Sequence, residues 1–278
     1  QAAGVGIWDS LQRRGELAPD APEFPMILGA ECSGDVERVG ANVTALHDGQ
    51  AIYSYVRGEQ GAYAEYVVAD AAMVALKPAS LSYMEAAAVP VDAITAHQAL
   101  IDELKIQAGE WVFVAGGAGG VGSLAVQIAI NAGARLIVSA RAENFEVLES
   151  FGVARDNLID YTQADVVRAV RDITGGAGAD AALDAVGGEN SKQTIEAVRS
   201  GGRLAELTGQ ELPQGRDVTI VHVESAPSAK RLALLGDMFD AGTLKVHVGR
   251  VLSLGQAREA QAAVEEHRAG GKIVLRVE

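Results

Sequence analysis

The glycine-rich stretch from Val112 to Gly122 constrains this chain more than any other part of the sequence. Val112 to Ala115 are apolar and predict a buried strand, five glycines follow within seven positions, and an apolar helical segment begins near Ser123. Gly117, Gly119 and Gly122 have the G-x-G-x-x-G spacing of a strand–turn–helix unit that binds a dinucleotide.

Each glycine has a mechanical role in such a unit. The first permits the turn, the second lets the backbone approach a pyrophosphate, and the third lets the helix pack against the strand. The free N–H groups and the dipole of the helix that follows favour phosphate. We therefore predict a dinucleotide site, and a glycine turn without a ligand is the alternative that spacing alone leaves open.

From Trp111 onward, nearly continuous apolar strands alternate with helices, a pattern typical of a parallel sheet covered on both faces. The predicted strands are Trp111–Ala115, Arg135–Ala140, Asn157–Tyr161, Ala181–Val186, Arg203–Thr208 and Val218–Val223. The predicted helices are Ser123–Asn131, Glu143–Phe151, Ala164–Thr174 and Ser191–Arg199. Six strands are the number in a complete dinucleotide-binding fold.

The remaining sequence predicts a second, β-rich domain built from both ends of the chain. Residues 1–89 contain short β-like pieces at 34–39, 50–56 and 63–68, with turn signals between them and no clear helix. A helix after Ser82 is predicted by a capping box with Glu85, and another over Thr95–Leu104. A further helix is predicted over Ala229–Ala241. The elements Lys245–Val251, Gly255–His267 and Lys272–Val277 then return to the first domain.

Composition excludes several classes of partner. The chain of 278 residues has 23 basic and 37 acidic residues, a net charge of −14, which argues against nucleic acid and anionic membranes as partners. It contains one cysteine, Cys32, and neither a long uncharged apolar run nor a signal-peptide pattern, so we expect a cytoplasmic protein. Because the sequence opens on Gln1 within a motif, we also expect further residues upstream.

Several stretches together resemble the medium-chain dehydrogenase/reductase superfamily, in particular its zinc-independent quinone oxidoreductase branch. The matching segments are residues 2–9, 28–34, 61–66, 86–90, 95–100, the glycine turn, 184–187 and 201–203, in family order. The resemblance implies an α/β fold, with a Rossmann doubly wound parallel sheet over residues 90–245. It also implies a discontinuous GroES-like β-rich domain over residues 1–89 and 246–278.

The resemblance implies a homodimer as well. The mostly apolar segment Val218–Val223 is a candidate edge strand for pairing across a two-fold axis. A strand covered within the monomer is the alternative.

We predict a metal-free enzyme. Zinc-bearing relatives have metal ligands where this chain has Gly6, Ala30 and Val91, and one cysteine with five scattered histidines cannot build a tetrahedral zinc site. Glu31 is interpreted as a structural carboxylate and Cys32 as a packed thiol. The histidines, at 47, 97, 222, 247 and 267, are interpreted as surface or helix residues. Only His97 lies in a motif that is expected to form the active-site cleft.

The end of the second predicted strand indicates NADPH rather than NADH. Enzymes that prefer NADH place a carboxylate there for the ribose hydroxyls, whereas this chain has Ser139 and Arg141, which suit a 2′-phosphate. The resemblance adds Tyr161 to the same phosphate and places Asn144 where relatives often have lysine. The predicted cofactor-binding residues of the turn and the second strand are Gly117, Ala118, Gly119, Gly120, Val121, Gly122, Ser139 and Arg141. Besides Asn144 and Tyr161, the resemblance implies Thr95, Val186, Leu207, Thr208 and Gly209 at the nicotinamide.

The predicted reaction is hydride transfer from NADPH to a quinone or an α,β-unsaturated carbonyl compound. Reduction of an enoyl thioester or alkenal is one alternative, and cofactor binding without turnover is another. A proton donor is not identified by sequence. Tyr55, Tyr63 and Thr95 are the candidates, and solvent can supply the proton to a quinone.

Overall fold

The computed structural model describes residues 1–17, 25–56, 61–188, 190–208, 217–266 and 268–277. Its strands are β1 (Ala2–Val5), β2 (Glu31–Asp35), β3 (Ala51–Tyr55), β4 (Val74–Leu76), β5 (Trp111–Ala115), β6 (Arg135–Ala140), β7 (Leu158–Asp160), β8 (Ala179–Asp184), β9 (Val198–Glu206), β10 (Val218–His222), β11 (Val248–Ser253) and β12 (Lys272–Arg276). Its α-helices are α1 (Ile7–Arg14), α2 (Tyr83–Ala87), α3 (Pro90–His97), α4 (Gly120–Asn131), α5 (Phe145–Ser150), α6 (Val166–Ile173), α7 (Asn190–Ala197), α8 (Ala229–Asp240) and α9 (Ala257–Glu265).

The chain divides into two compact units. The first unit comprises residues 1–94 and 226–278, and the second comprises residues 95–225. The predicted domain boundaries at residues 90 and 245 stay a prediction, since compactness alone defines these units. Among the described residues, no helix combines the length and the apolar character needed to cross a bilayer.

The second unit contains the predicted parallel sheet. Its six strands lie in the order β10-β9-β8-β5-β6-β7, and every neighbouring pair is parallel. The central strand β5 has no solvent exposure from Val112 to Val114. An apolar strand buried on both faces is what a sheet packed between helices requires, and the α/β prediction is confirmed.

Most predicted elements of this unit are confirmed within a few residues, but the predicted boundary between α7 and β9 is wrong. The helix predicted to reach Arg199 ends at Ala197, and β9 already begins at Val198. The Arg199 guanidinium instead donates to Asp180 across 2.7 Å. This contact between the starts of two strands is tertiary and leaves no periodic signal in the sequence.

The first unit joins the two ends of the chain in one sheet. Its strand order is β11-β12-β1-β2-β3-β4, with β11 and β12 parallel and the other pairs antiparallel. The N-terminal strand β1 pairs with the C-terminal strand β12, from Ala2 opposite Arg276 to Val5 opposite Ile273. The predicted discontinuous β-rich domain is therefore confirmed.

Two local predictions in this unit are wrong. No helix was predicted in the first 80 residues, yet α1 begins after Gly6, whose N–H donates to Asp9 at 2.9 Å, and ends at Gly15 with a φ of 75°. The β-like piece at 63–68 does not form a strand. The N–H of Tyr63 donates instead to the carbonyl oxygen of Leu28 at 2.8 Å, in the loop before β2.

The helix predicted over Thr95–Leu104 begins earlier, at Pro90. Proline suits a first helical position because it has no N–H to satisfy there. The next N–H, of Val91, donates to Oε2 of Glu31 at 2.8 Å. After His97 the chain continues as a π-helix from Gln98 to Glu103.

A buried charge cluster connects this helix to β2 and β12. The Lys272 ammonium lies 2.5 Å from Oε1 of Glu31 and 2.8 Å from Oδ2 of Asp92, and it stacks 4.4 Å from the ring centre of Trp8. Burial raises the pKa of Glu31, although the lysine opposes this shift. Burial opposes the charge of Lys272, but the two carboxylates raise its pKa.

We expect Lys272→Met to lower the free energy of unfolding by about 3–5 kcal/mol, because it leaves two buried carboxylates without their cation. Glu31→Gln is the matched control, since it keeps the pair between Lys272 and Asp92 and should cost much less. Urea denaturation of both variants at pH 7.5 measures the difference. Equal losses would show that the charge balance of the cluster does not matter.

A further buried carboxylate, Asp9, links folding stability to pH. Its Oδ2 accepts from the N–H of Gly6 at 2.9 Å and from the Tyr63 hydroxyl at 2.8 Å. Burial raises the pKa of Asp9 from 3.8 to about 6. Between these values the folded state binds more protons than the unfolded state, so stability falls as pH rises through this range.

We expect Asp9→Asn to reduce that fall, which is on the order of 2–3 kcal/mol, because asparagine carries no charge and can still accept both hydrogen bonds. The measurement is the free energy of unfolding at several pH values from 4 to 7. The exposed Glu65→Gln serves as the control. If the wild-type slope persists in Asp9→Asn, another group carries the pH dependence.

Candidate active site

All six strands of the parallel sheet in the second unit have their carboxyl ends on the same side of the sheet. The chain leaves the central strand β5 toward β6 and β7 on one side, and β8 leads to β9 and β10 on the other. In open parallel sheets, ligands bind at the carboxyl ends of the strands where the order reverses. Here that point lies between β5 and β8.

The glycine turn after β5 is held by the carbonyl oxygen of Ser139. That oxygen accepts from the N–H of Gly116 at 3.1 Å and of Gly117 at 3.0 Å. The left-handed conformation belongs to Gly116, with a φ of 78°, rather than to Gly117, which the spacing assigned to the turn. Gly117 is required for a different reason, since a Cβ atom there would overlap the side chain of Val138.

The other two glycines differ in how much space surrounds them. A Cβ atom on Gly122 would overlap the carbonyl oxygen of Gly116, so this position demands glycine for close packing. On the exposed Gly119, the nearest atom to a Cβ would be 3.4 Å away. Packing alone therefore does not explain Gly119, and the space beside it is consistent with a bound group.

The helix α4 begins at Gly120, three residues before the predicted start at Ser123. Its N-cap is Gly119, and no side chain caps its first turn. Ala118, Gly120 and Val121 are partly exposed. Uncapped N–H groups at an accessible helix N-terminus suit an anionic ligand, so the turn fits the pyrophosphate of a dinucleotide.

Arg141 and Tyr161 meet at the ends of the neighbouring strands β6 and β7. The Arg141 Nε donates to the Tyr161 hydroxyl at 3.1 Å, both side chains are exposed, and Tyr161 retains 44% of its accessible surface. The hydrogen bond to Tyr161 raises the pKa of Arg141, and the carboxylates of Glu143 and Asp160 raise it further. The structure thus brings together Arg141 and the tyrosine that the family resemblance assigned to the same phosphate.

The other residues assigned to this end of the site have different surroundings. Ser139 retains only 5% of its accessible surface. The N–H of Asn144 donates to the carbonyl oxygen of Arg141 at 2.9 Å, which closes a short turn before α5.

A buried carboxylate, Asp184, shapes the turn after β8. Its Oδ1 accepts from the N–H groups of Val186 and Gly187, both at 3.0 Å, and its Oδ2 accepts from the hydroxyl of Ser191. Val186 remains 41% exposed and packs against the glycine turn, where a Cβ atom on Gly116 would lie 2.6 Å from it. The sequence identified this segment as a motif, but not the role of Asp184.

A second buried carboxylate, Glu206, shapes the turn after β9. One of its oxygens accepts from both the N–H and the hydroxyl of Thr208, and the other lies 3.0 Å from Nδ1 of His222. Thr208 in turn contacts the β8 turn, because a Cβ atom on Gly187 would lie 2.5 Å from its methyl group. Sequence reasoning missed both Glu206 and His222, since only tertiary structure pairs them.

The remaining predicted site residues have varied positions. Leu207 is partly buried, Thr208 is exposed, and Gly209 lies outside the described residues. Thr95 lies on α3 and is 7% exposed. Tyr55 lies on β3 opposite Glu31.

Tyr63, in the first unit, donates its hydroxyl hydrogen to Asp9. Burial and the nearby Asp9 raise its pKa. Its proton is therefore already held by another residue, which disfavours transfer to a substrate.

The residues that face a metal in zinc-bearing relatives do not fit a metal here. Gly6, Ala30 and Val91 offer no ligating side chain. Within the described part of the chain, no group of three or more His, Cys, Asp or Glu residues is arranged to hold a metal ion. Cys32 is 6% exposed, and burial raises the pKa of its thiol to about 12, consistent with a packed thiol.

Two family models match the chain. The model described as alcohol dehydrogenase GroES-like domain matches residues 1–79, and the model described as zinc-binding dehydrogenase matches residues 154–275. The first match lies in the β-rich unit, in agreement with its sheet. The second includes the last four strands of the parallel sheet.

Curated relatives match over nearly the whole chain. An NAD(P)H oxidoreductase of Danio rerio is 30% identical, over 99% of this chain and 78% of the relative. A quinone oxidoreductase-like protein 2 homolog of Nematostella vectensis is 28% identical, over 99% and 79%. An NADPH-dependent alkenal/one oxidoreductase of Arabidopsis thaliana is 28% identical, over 99% and 70%.

Solved structures agree with these relatives. An alcohol dehydrogenase superfamily protein from Novosphingobium aromaticivorans has a TM-score of 0.91 and 29% identity, covering 100% of this chain and 90% of that one. A quinone oxidoreductase from Coxiella burnetii has a TM-score of 0.86 and 25% identity, covering 100% and 88%. From the matched domains, the shared fold and these relatives, the chain belongs to the quinone oxidoreductase-like branch of the medium-chain dehydrogenase/reductase superfamily and is an oxidoreductase.

Proposed function

We propose that this protein is an NADPH-dependent, metal-free reductase of quinones or α,β-unsaturated carbonyl compounds. The observation that carries the choice of cofactor is the exposed pair of Arg141 and Tyr161 at the ends of β6 and β7. A guanidinium and a phenol hydroxyl suit a 2′-phosphate, whereas a carboxylate at the end of β6 would select the free ribose of NADH. Relatives named for quinone and alkenal/one reduction support the class of acceptor.

In this proposal the ends of different strands bind different parts of the cofactor. The first turn of α4 holds the pyrophosphate, and Arg141 with Tyr161 holds the 2′-phosphate. Val186, Leu207 and Thr208 line the nicotinamide end, together with Thr95. The bound cofactor supplies a hydride, and the protein supplies binding and orientation.

Enoyl thioesters are a second class of acceptor for the same chemistry. A crystal structure described as the CurK enoyl reductase is 25% identical to this chain with a TM-score of 0.89. The acceptor depends on irregular loops rather than on the sheet.

Homodimerisation belongs to the proposal as well. The strand β10 lies at the edge of the parallel sheet, and its Ile220 is 39% exposed. An exposed edge strand offers unpaired N–H and C=O groups to a second copy.

The first test is NADPH consumption by chelator-treated protein, with 1,4-benzoquinone and a short enone as separate acceptors. The proposal requires rapid loss of NADPH absorbance that survives chelation and is much slower with NADH. Absence of turnover with both acceptors, despite NADPH binding, would favour a cofactor-binding protein. Equal rates with NADH would contradict the assignment of Arg141 and Tyr161 to the 2′-phosphate.

We expect Arg141→Ala to weaken NADPH binding by about 1.5–3 kcal/mol, the contribution of a hydrogen bond to a charged group, and to leave NADH binding nearly unchanged. Titration calorimetry with each cofactor measures this. Arg168→Ala is the matched control, because that side chain is 79% exposed on α6. Equal weakening for both cofactors would contradict the assigned role of Arg141.

The glycines of the turn separate folding from binding. We expect Gly119→Ala to change the free energy of unfolding by less than about 1 kcal/mol, because its Cβ has room, but to weaken NADPH binding at least about tenfold by approaching the pyrophosphate. Gly122→Ala should instead destabilise the fold, because its Cβ would overlap the carbonyl oxygen of Gly116. Thermal unfolding and cofactor titration of both variants distinguish the two effects. Unchanged NADPH affinity in Gly119→Ala would show that the pyrophosphate does not bind beside Gly119.

A further inference from the structure

The proposed reaction leaves one pair of side chains at the strand ends without a role. Glu206 ends β9 with only 2% of its side chain exposed, and His222 ends β10 with 55% exposed. They are direct neighbours in the parallel ladder. Their side chains meet with the imidazole Nδ1 3.0 Å from Oε2 of the carboxylate.

The carboxylate determines how the imidazole is oriented. Because Oε2 of Glu206 can only accept when ionised, Nδ1 of His222 carries the hydrogen in this pair. Nε2 is then the nitrogen left to exchange a proton with another molecule. A buried carboxylate that orients a histidine in this way is a recurrent arrangement in acid–base catalysis.

The pair is continuous with the residues proposed to line the nicotinamide end. Glu206 also accepts from the N–H and hydroxyl of Thr208, and Thr208 packs against Gly187. The preceding residue, Val186, packs against Gly116 in the glycine turn. A continuous series of contacts therefore runs from the glycine turn to His222 across the carboxyl ends of neighbouring strands, entirely within the second unit.

We propose that His222, held by Glu206, is the proton donor to the acceptor in the reduction of α,β-unsaturated carbonyl compounds. This inference rests on the proposed function and names the acid that the sequence did not identify. Tyr63, a sequence-predicted candidate, already donates its hydroxyl hydrogen to the buried Asp9. His222 is the donor because it combines an exposed ring with a buried orienting partner.

The step balances as follows for an enone. Hydride addition to the β-carbon forms a C–H bond and shifts the electron pair of the C=C bond toward the carbonyl, which gives an enolate. Nε2 of the His222 imidazolium then gives its proton to the α-carbon, and the neutral imidazole takes another from solvent. The overall change consumes one NADPH and one proton and yields NADP⁺ and the saturated ketone.

A quinone provides an internal comparison. Hydride addition to a quinone gives a hydroquinone anion, whose oxygen takes a proton from water without an enzyme acid. His222→Gln should therefore lower kcat for cyclohex-2-enone about 100-fold, and kcat for 1,4-benzoquinone less than threefold. NADPH affinity should be unchanged.

Two further variants refine the assay. His47→Gln, at an exposed histidine of the first unit, should leave both activities unchanged. In His222→Ala, free imidazole should restore part of the enone activity and none of the quinone activity. Equal loss of both activities, or no loss of either, would overturn the role of His222. If the wild-type protein oxidises NADPH with benzoquinone but never with enones, the proposed reductase function stands and the proton-donor role of His222 is overturned. If no acceptor supports turnover, both proposals are overturned.

A measurement without turnover tests the geometry. The ¹⁵N NMR spectrum of imidazole-labelled, ligand-free protein should show His222 with its hydrogen on Nδ1, and Glu206→Gln should shift this signal. Added NADP⁺ should shift the Nε2 resonance of His222 and not that of His47. A His222 spectrum that responds neither to Glu206→Gln nor to NADP⁺ would overturn the proposal even if the variant enzymes lose activity.

Discussion

Pairing of the central strand β5 with β6 on one side and β8 on the other is the interaction on which the rest of this molecule depends. Parallel pairing requires every strand to run the same way, so all the strand ends meet at one edge. The glycine turn, Arg141 and the two turns held by Asp184 and Glu206 all follow strands of this sheet. The candidate site is a consequence of strand direction before it is a consequence of any one side chain.

Buried carboxylates then convert flexible connections into defined turns. Asp184 and Glu206 each end a strand and accept from N–H groups two or three residues further on. Glu31 accepts from the N–H of Val91 in the first turn of α3, and Asp9 accepts from the N–H of Gly6 just before α1. A buried carboxylate is costly unless hydrogen-bonded, so each of these groups stabilises one local backbone path over its alternatives.

The two ends of the proposed cofactor site differ in their electrostatics and packing. At the phosphate end, accessible helix N–H groups and the exposed pair of Arg141 and Tyr161 provide local positive potential in a chain whose net charge is −14. At the other end, apolar contacts of Val186 and Thr208 with glycines bring neighbouring turns close together. In the proposed function, the first end suits the anionic groups of the cofactor, and the second suits its nicotinamide ring.

The sequence by itself determined the alternation of strands and helices and the glycine turn, because each is encoded in contiguous residues. The family resemblance, rather than any local pattern, placed Tyr161 beside Arg141. Sequence analysis missed α1, whose signals are a single backbone-binding carboxylate and a terminal glycine. It assigned the turn to Gly117, although the left-handed residue is Gly116. Tertiary structure alone decided the cluster of Glu31, Asp92 and Lys272 and the pair of Glu206 and His222, since their members are distant in sequence and become neighbours only when strands pair.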